Sequence, residues 1–139
     1  MTDYTPFDEL EIGRVFPDPP VRFQITETQV EAYLSATGDD STVYREASDR
    51  RPVPPLFAAV YMLDALAHFR NPPGGIHTRQ SFTFHQPTYI GDELTIEVRI
   101  LDKYVKKRRN HVIMAVVARN QDGELVTSAE IGRIWGKET

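Results

Sequence analysis

The chain of 139 residues contains no cysteine. Disulfides, thiolate metal sites and a cysteine nucleophile are therefore excluded, and the redox compartment is left open. It has no apolar run long enough to span a bilayer; the longest, around residues 56–69, is interrupted by Asp64 and His68. The start, Met-Thr-Asp-Tyr-Thr-Pro, has neither the basic residues nor the apolar stretch of a secretory signal. A cytoplasmic protein with no membrane partner is expected. Positive charge is not in excess: the net charge is −4, which argues against a nucleic-acid partner. No spacing of histidines and carboxylates gives three convergent ligands, so no metal is expected. What is present, 40% hydrophobic and 26% charged residues, is the composition of a soluble globular chain. The length suits one domain with a real core, over residues 1–139, and not two.

Periodicity divides the chain in two. Residues 1–20 read as irregular, punctuated by Pro6, Pro17, Pro19 and Pro20. Residues 21–25 alternate and predict a short strand. Thr26 reads as an N-cap completed by Gln29, and Val30, Tyr33, Leu34 and Thr37 share one face of the helix that follows. Gly38 is placed to end it. A second helix begins near Pro55, a residue suited to a first helical position. Residues 56–69 are apolar almost all round, which predicts a helix enclosed on most sides. From residue 76 the period is two. Phe82 and Phe84 alternate with Ser81, Thr83 and His85, and Leu94, Ile96, Val98 and Ile100 with Thr95, Glu97 and Arg99. Residues 112–118 and 124–135 read as further strands, joined by the hairpin signal Asn120-Gln121-Asp122-Gly123. Helices followed by a strand meander indicate an α+β class. One long apolar helix needs an antiparallel sheet curled around it, which is the hot-dog fold.

Five segments in order resemble one family. They are Phe7-Asp8-Glu9-Leu10-Glu11-Ile12-Gly13; the helix from Val30 to Gly38-Asp39; Pro54-Pro55-Leu56-Phe57; Ile76-His77 with Gln80-Ser81-Phe82-Thr83-Phe84-His85-Gln86-Pro87; and Ile90-Gly91-Asp92-Glu93-Leu94. Together they resemble the MaoC-like, hot-dog hydratases, and most closely the fungal-synthase-type branch, in the form of its N-terminal MaoC domain. The resemblance implies an (R)-type hydratase or dehydratase acting on 2-enoyl or 3-hydroxyacyl thioesters. The thioester of coenzyme A or of an acyl carrier protein is then the substrate, and no cofactor is needed. It also implies pairing, as a homodimer or as a heterodimer with another MaoC-like chain. Two alternatives stay open: a non-catalytic acyl-binding subunit, and a hot-dog thioesterase or natural-product cyclase with Asp39 or Asp64 activating water.

The family's core motif, Gly-Asp-x-Asn-Pro-(Ile/Leu)-His, falls on Gly38 to Tyr44. Asp39 takes the aspartate, Ser41 the asparagine and Tyr44 the histidine. The resemblance thus makes Asp39 the base and Tyr44 its partner. Tyrosine titrates near pKa ~10 against ~6.5 for histidine, so Tyr44 is a poor neutral-pH base that can still donate a hydrogen bond. The backbone N–H of Leu56 or Phe57, at the start of the central helix, becomes the oxyanion donor. His77 and His85 share strand parity with Arg79, Ser81 and Thr83; that face either lines a cleft and supplies an imidazole, or meets solvent or a second subunit. Lys106-Lys107-Arg108-Arg109 reads as a hairpin end. It is either a solvated turn or a contact for coenzyme A phosphates or an acidic carrier. Ile131 and Trp135 read as core or interface packing.

Overall fold

The computed structural model describes residues 4–46 and 49–137; the first three residues, part of the start read above for a targeting signal, lie outside them. Five strands form one antiparallel sheet: β1 (Val15–Gln24), β2 (Ile76–Phe84), β3 (Glu93–Lys106), β4 (Arg109–Arg119) and β5 (Leu125–Trp135). Their spatial order is β1-β3-β4-β5-β2, so β1 and β2 are the edges. Two helices, α1 (Glu27–Thr37) and α2 (Ala58–Leu66), lie between β1 and β2 in the chain. Single 3-10 turns at Pro55–Phe57 and Ala67–Phe69 extend α2 at both ends. This is the α+β hot-dog arrangement. None of the helices is long and apolar enough to cross a membrane, among the described residues.

Strand alternation builds the core. Leu94, Ile96, Val98 and Ile100 of β3 and Val112, Met114, Val116 and Ala118 of β4 are fully buried, together with Tyr61, Met62 and Ala65 of α2. Burying one such large apolar side chain is worth about 1.5–3 kcal/mol. Helix α1 starts on the expected capping box, Thr26 accepting from the Gln29 amide and Gln29 from the Thr26 amide. It lays Val30 and Leu34 on the core and ends at Gly38, whose φ of 68° is the left-handed conformation that glycine adopts without strain. Asp92 locks the turn before β3: its carboxylate accepts the Tyr89 N–H at 2.9 Å and the Gln121 amide at 3.2 Å. Trp135 belongs to the core, with its indole N–H donated to the Thr5 carbonyl at 2.8 Å.

Two expectations need correction. The stretch up to residue 20 is not irregular throughout, because β1 begins at Val15 and takes in Pro17, Pro19 and Pro20. Proline is tolerated there because β1 is an edge strand, and its pairing with β3 is interrupted between Phe16 and Val21, where the prolines fall. The central helix, in turn, is not enclosed on most sides by its own chain. Leu56 and Leu63 are each 57% exposed and Val60 is 38% exposed, an outward apolar face at helical spacing.

Candidate functional site

The segment after α1 is shaped by local polar bonds. Thr42–Tyr44 forms a 3-10 turn, and the Asp39 carboxylate accepts the Ser41 N–H at 3.0 Å. That backbone bond, then the Ser41 side chain, then the positive charge of Arg45, holds the Asp39 carboxyl below its ordinary value. Asp39 is therefore ionised at neutral pH, and a carboxylate stabilised in this way is a weak proton acceptor. Arg45 donates to the Asp39 carbonyl at 2.6 Å and lies 3.4 Å from Glu31.

Arg51 staples the same segment to α1. Its side chain is only 15% exposed; Nε donates to the Tyr44 carbonyl, and the two terminal nitrogens reach Glu31 and, at 3.1 Å, Glu27. The Arg51 hydrogen bond, with the charges of Arg51 and Arg45, keeps the Glu31 carboxyl below its ordinary value. Tyr33 sits beside this segment. Burial above all, then the negative charge of Asp39 and the nearby Tyr44, push its phenol up, so it stays protonated. Asp39, Tyr44 and Tyr33 are thus brought together, although Tyr33 read in the sequence only as part of a helix face.

A cavity of about 380 Å³ opens beside the turn, within the size range of small-molecule sites. Tyr44, Val53, Pro55, Tyr61, His85 and Thr127 are among its lining residues, and Asp39 is not. His85 is exposed at this cavity, its Nε2 2.9 Å from the Ser128 hydroxyl and its amide donated to the Val126 carbonyl. Tyr61 and Thr127 are buried; their hydroxyl oxygens are 2.7 Å apart. Neither was singled out from the sequence as a site residue. The available signal was a tyrosine in a buried, otherwise apolar helix, whose hydroxyl must find a partner.

The other candidates are dispersed. The Phe57 amide donates to the Pro54 carbonyl at 3.0 Å, so the 3-10 turn consumes one of the two expected oxyanion donors. The Leu56 amide has no backbone partner among the described residues. His77 does not share a face with Arg79, Ser81 and Thr83 as expected, whereas the His85 imidazole reaches Ser128, the residue opposite Thr83. A bulge falls between His77, opposite Arg133, and Arg79, opposite Gly132, and one extra residue reverses strand parity. Asp64 is exposed on the outward side of α2. Lys106 ends β3 and Arg109 begins β4; Lys107 and Arg108 make the turn, with φ of 51° and 63°. Lys107, Arg108 and Arg109 line a second cavity of about 540 Å³ with Ile76, Ile134 and Lys137. It is at the opposite end of β2 from the first, roughly 25 Å away at strand spacing.

The family model described as FAS1-like, dehydratase domain region, matches residues 11–129. The chain belongs to that family. The expected MaoC-like resemblance and its fungal-synthase-type branch agree with this membership. The UPF0336 protein PPA1896 of Cutibacterium acnes is 28% identical over 134 residues, which cover 86% of this chain and 87% of that one. The unliganded R-hydratase PhaJ1 of Pseudomonas aeruginosa superposes with a TM-score of 0.82 at 25% identity, over 97% of this chain and 88% of that one. The C-terminally truncated HadBC complex of Mycobacterium tuberculosis, a 3R-hydroxyacyl-ACP dehydratase, matches with a TM-score of 0.74 at 21% identity. That match covers 88% of this chain and 96% of the HadBC chain, and it shows the shared hot-dog fold.

Proposed function

We propose that this chain is the acyl-binding subunit of an (R)-type hydratase/dehydratase acting on 2-enoyl or 3-hydroxyacyl thioesters, completed by a second MaoC-like chain. One observation carries the reading. The cavity presents Tyr44 where the family motif has its imidazole, while Asp39 lies off the lining with its carboxylate tied to Ser41. Of the motif's two groups, only the one at position 44 is on this cavity's lining, and it is a phenol in place of the imidazole. The cavity keeps an acyl-compatible lining of Val53, Pro55 and Phe84 with a few polar groups, the usual composition of a small-molecule site.

Two surfaces support a partner. β2 is a sheet edge exposed along most of its length, and the Leu56, Val60 and Leu63 face of α2 is open. Free edges and apolar faces favour association. HadBC, with the same fold, is itself a complex. In an antiparallel β2–β2 pairing, the basic hairpin of one subunit approaches the cavity end of the other. Lys106, Lys107, Arg108 and Arg109 then meet the phosphates of coenzyme A or the acidic surface of a carrier protein.

The test is turnover of crotonyl-CoA by the purified chain alone and after mixing with a MaoC-like protein bearing the full Asp…His motif. The reading expects acyl-thioester binding without turnover alone, and turnover in the mixture. A second reading rests on His85, which lines the cavity together with Tyr44. In that reading the chain is a self-sufficient homo-oligomeric hydratase, with His85 as the imidazole. Turnover by the chain alone that His85→Gln abolishes is its signature.

A further inference from the structure

The deepest polar feature of the cavity has no role in the reading above. Tyr61 of α2 and Thr127 of β5 are 1% and 2% exposed, yet both line the cavity. They are brought together across 66 positions of sequence, and their hydroxyls make one hydrogen bond of 2.7 Å. The Tyr61 ring is fixed by the aromatic rings around it, with centroids at 6.0 Å to Phe23 and 6.2 Å to Phe57. Thr127 is fixed by the β-ladder, opposite Phe84 of β2 and Ala118 of β4.

Hydroxyl chemistry leaves a surplus. Two hydroxyls bring two hydrogens, and their mutual bond uses one. No other hydrogen bond to either hydroxyl is present among the described residues. Burial pushes the Tyr61 phenol up, so it remains a donor and does not become a phenolate. An unspent O–H in a buried wall is costly unless something in the cavity accepts it. Val53, Pro55 and Phe84 of the lining carry no acceptor side chain, and the acceptors that the cavity does hold, on Tyr44, His85, Gln86 and Thr88, bond neither hydroxyl among the described residues. The geometry is that of a preorganised donor awaiting an oxygen on the ligand.

We propose that the Tyr61–Thr127 hydroxyl pair determines specificity by donating a hydrogen bond to an oxygen carried on the acyl chain, so that the cavity selects 3-hydroxyacyl thioesters over saturated ones. This rests on the acyl-binding reading and adds the recognised group. A site built to hydrogen-bond a hydroxyl discriminates against the analogue lacking it, because its own polar atoms are then left unpaired. The pair has no proton to transfer in this role; it positions and selects.

The test is calorimetric binding of 3-hydroxybutyryl-pantetheine and butyryl-pantetheine to the full chain, to Tyr61→Phe and to Thr127→Val. Both substitutions keep side-chain volume close to that of the wild type. The wild type is expected to prefer the 3-hydroxyacyl thioester by roughly tenfold, one good hydrogen bond. In each variant that ratio is expected to fall towards one. Equal binding of the two thioesters by the wild type overturns the proposal without any variant. A ratio unchanged in folded Tyr61→Phe and Thr127→Val also overturns it, and leaves the acyl-binding reading standing. Binding of neither thioester by the wild type overturns both.

Discussion

The loop at residues 38–46 and the Tyr61–Thr127 wall reach the same cavity by opposite physical means. The loop is largely exposed and is held by polar bonds: Ser41 to Asp39, Arg45 to the Asp39 carbonyl, Arg51 to the Tyr44 carbonyl. The wall is buried and held by aromatic packing and strand pairing. A side chain exposed on such a loop, such as Val43, can be exchanged with little effect on the fold. A side chain in the wall cannot, because removing it leaves a hole. The segment that matches the family's motif therefore sits on the more replaceable part of the cavity wall, and the proposed ligand-reading pair on the less replaceable.

Substitutions in the two regions should differ sharply in cost. Tyr61→Ala should cost about 3–5 kcal/mol in chemical denaturation, as for other buried aromatics truncated in a core. Val43→Ala, in the exposed loop, should stay within about 0.5 kcal/mol. Equal losses at the two positions would remove the contrast. Thr26→Ala should cost about 1 kcal/mol, since it deletes the cap of the helix from which the loop leaves. Arg51→Ala should speed hydrogen exchange at the Arg45 and Glu46 amides, which donate to the Thr42 carbonyl, and leave the β3 and β4 amides unchanged.

The smallest effect is a pH dependence at Asp39. Its folded-state value is depressed, chiefly by the Ser41 amide. It therefore contributes stability that is full above the unfolded value, about pH 4, and is lost as pH falls through the depressed value. Melting curves of wild type and Asp39→Asn should differ slightly at neutral pH and converge in acid. A gap that widened on acidification would mean that Asp39 is not held by these donors.

The fold was legible because its signals are local. The Thr26–Gln29 box, Gly38 after α1, Gly91-Asp92 before β3 and the period-two runs of β3 and β4 each act within a few residues of sequence. The prolines of β1 misled because their cost depends on whether a strand is an edge, which only the assembled sheet decides. His77 misled for a similar reason: a single bulge reverses its parity with Arg79, Ser81 and Thr83, and nothing in Ile76 to Gln80 announces it. Of the site, the segment from Asp39 to Tyr44 was legible as a contiguous motif. The Tyr61–Thr127 pair was not, because its members are joined only by the packing of α2 on β5.

In the proposed assembly the acyl cavity belongs to this chain while half of the motif's chemistry comes from its partner. Crotonyl-CoA binding and crotonyl-CoA hydration, measured on one preparation of the isolated chain, separate the two contributions. Saturable binding with no hydration above the uncatalysed rate is expected, and hydration once a MaoC-like partner carrying the full motif is added. Hydration by the isolated chain at the rate of the mixture would contradict it.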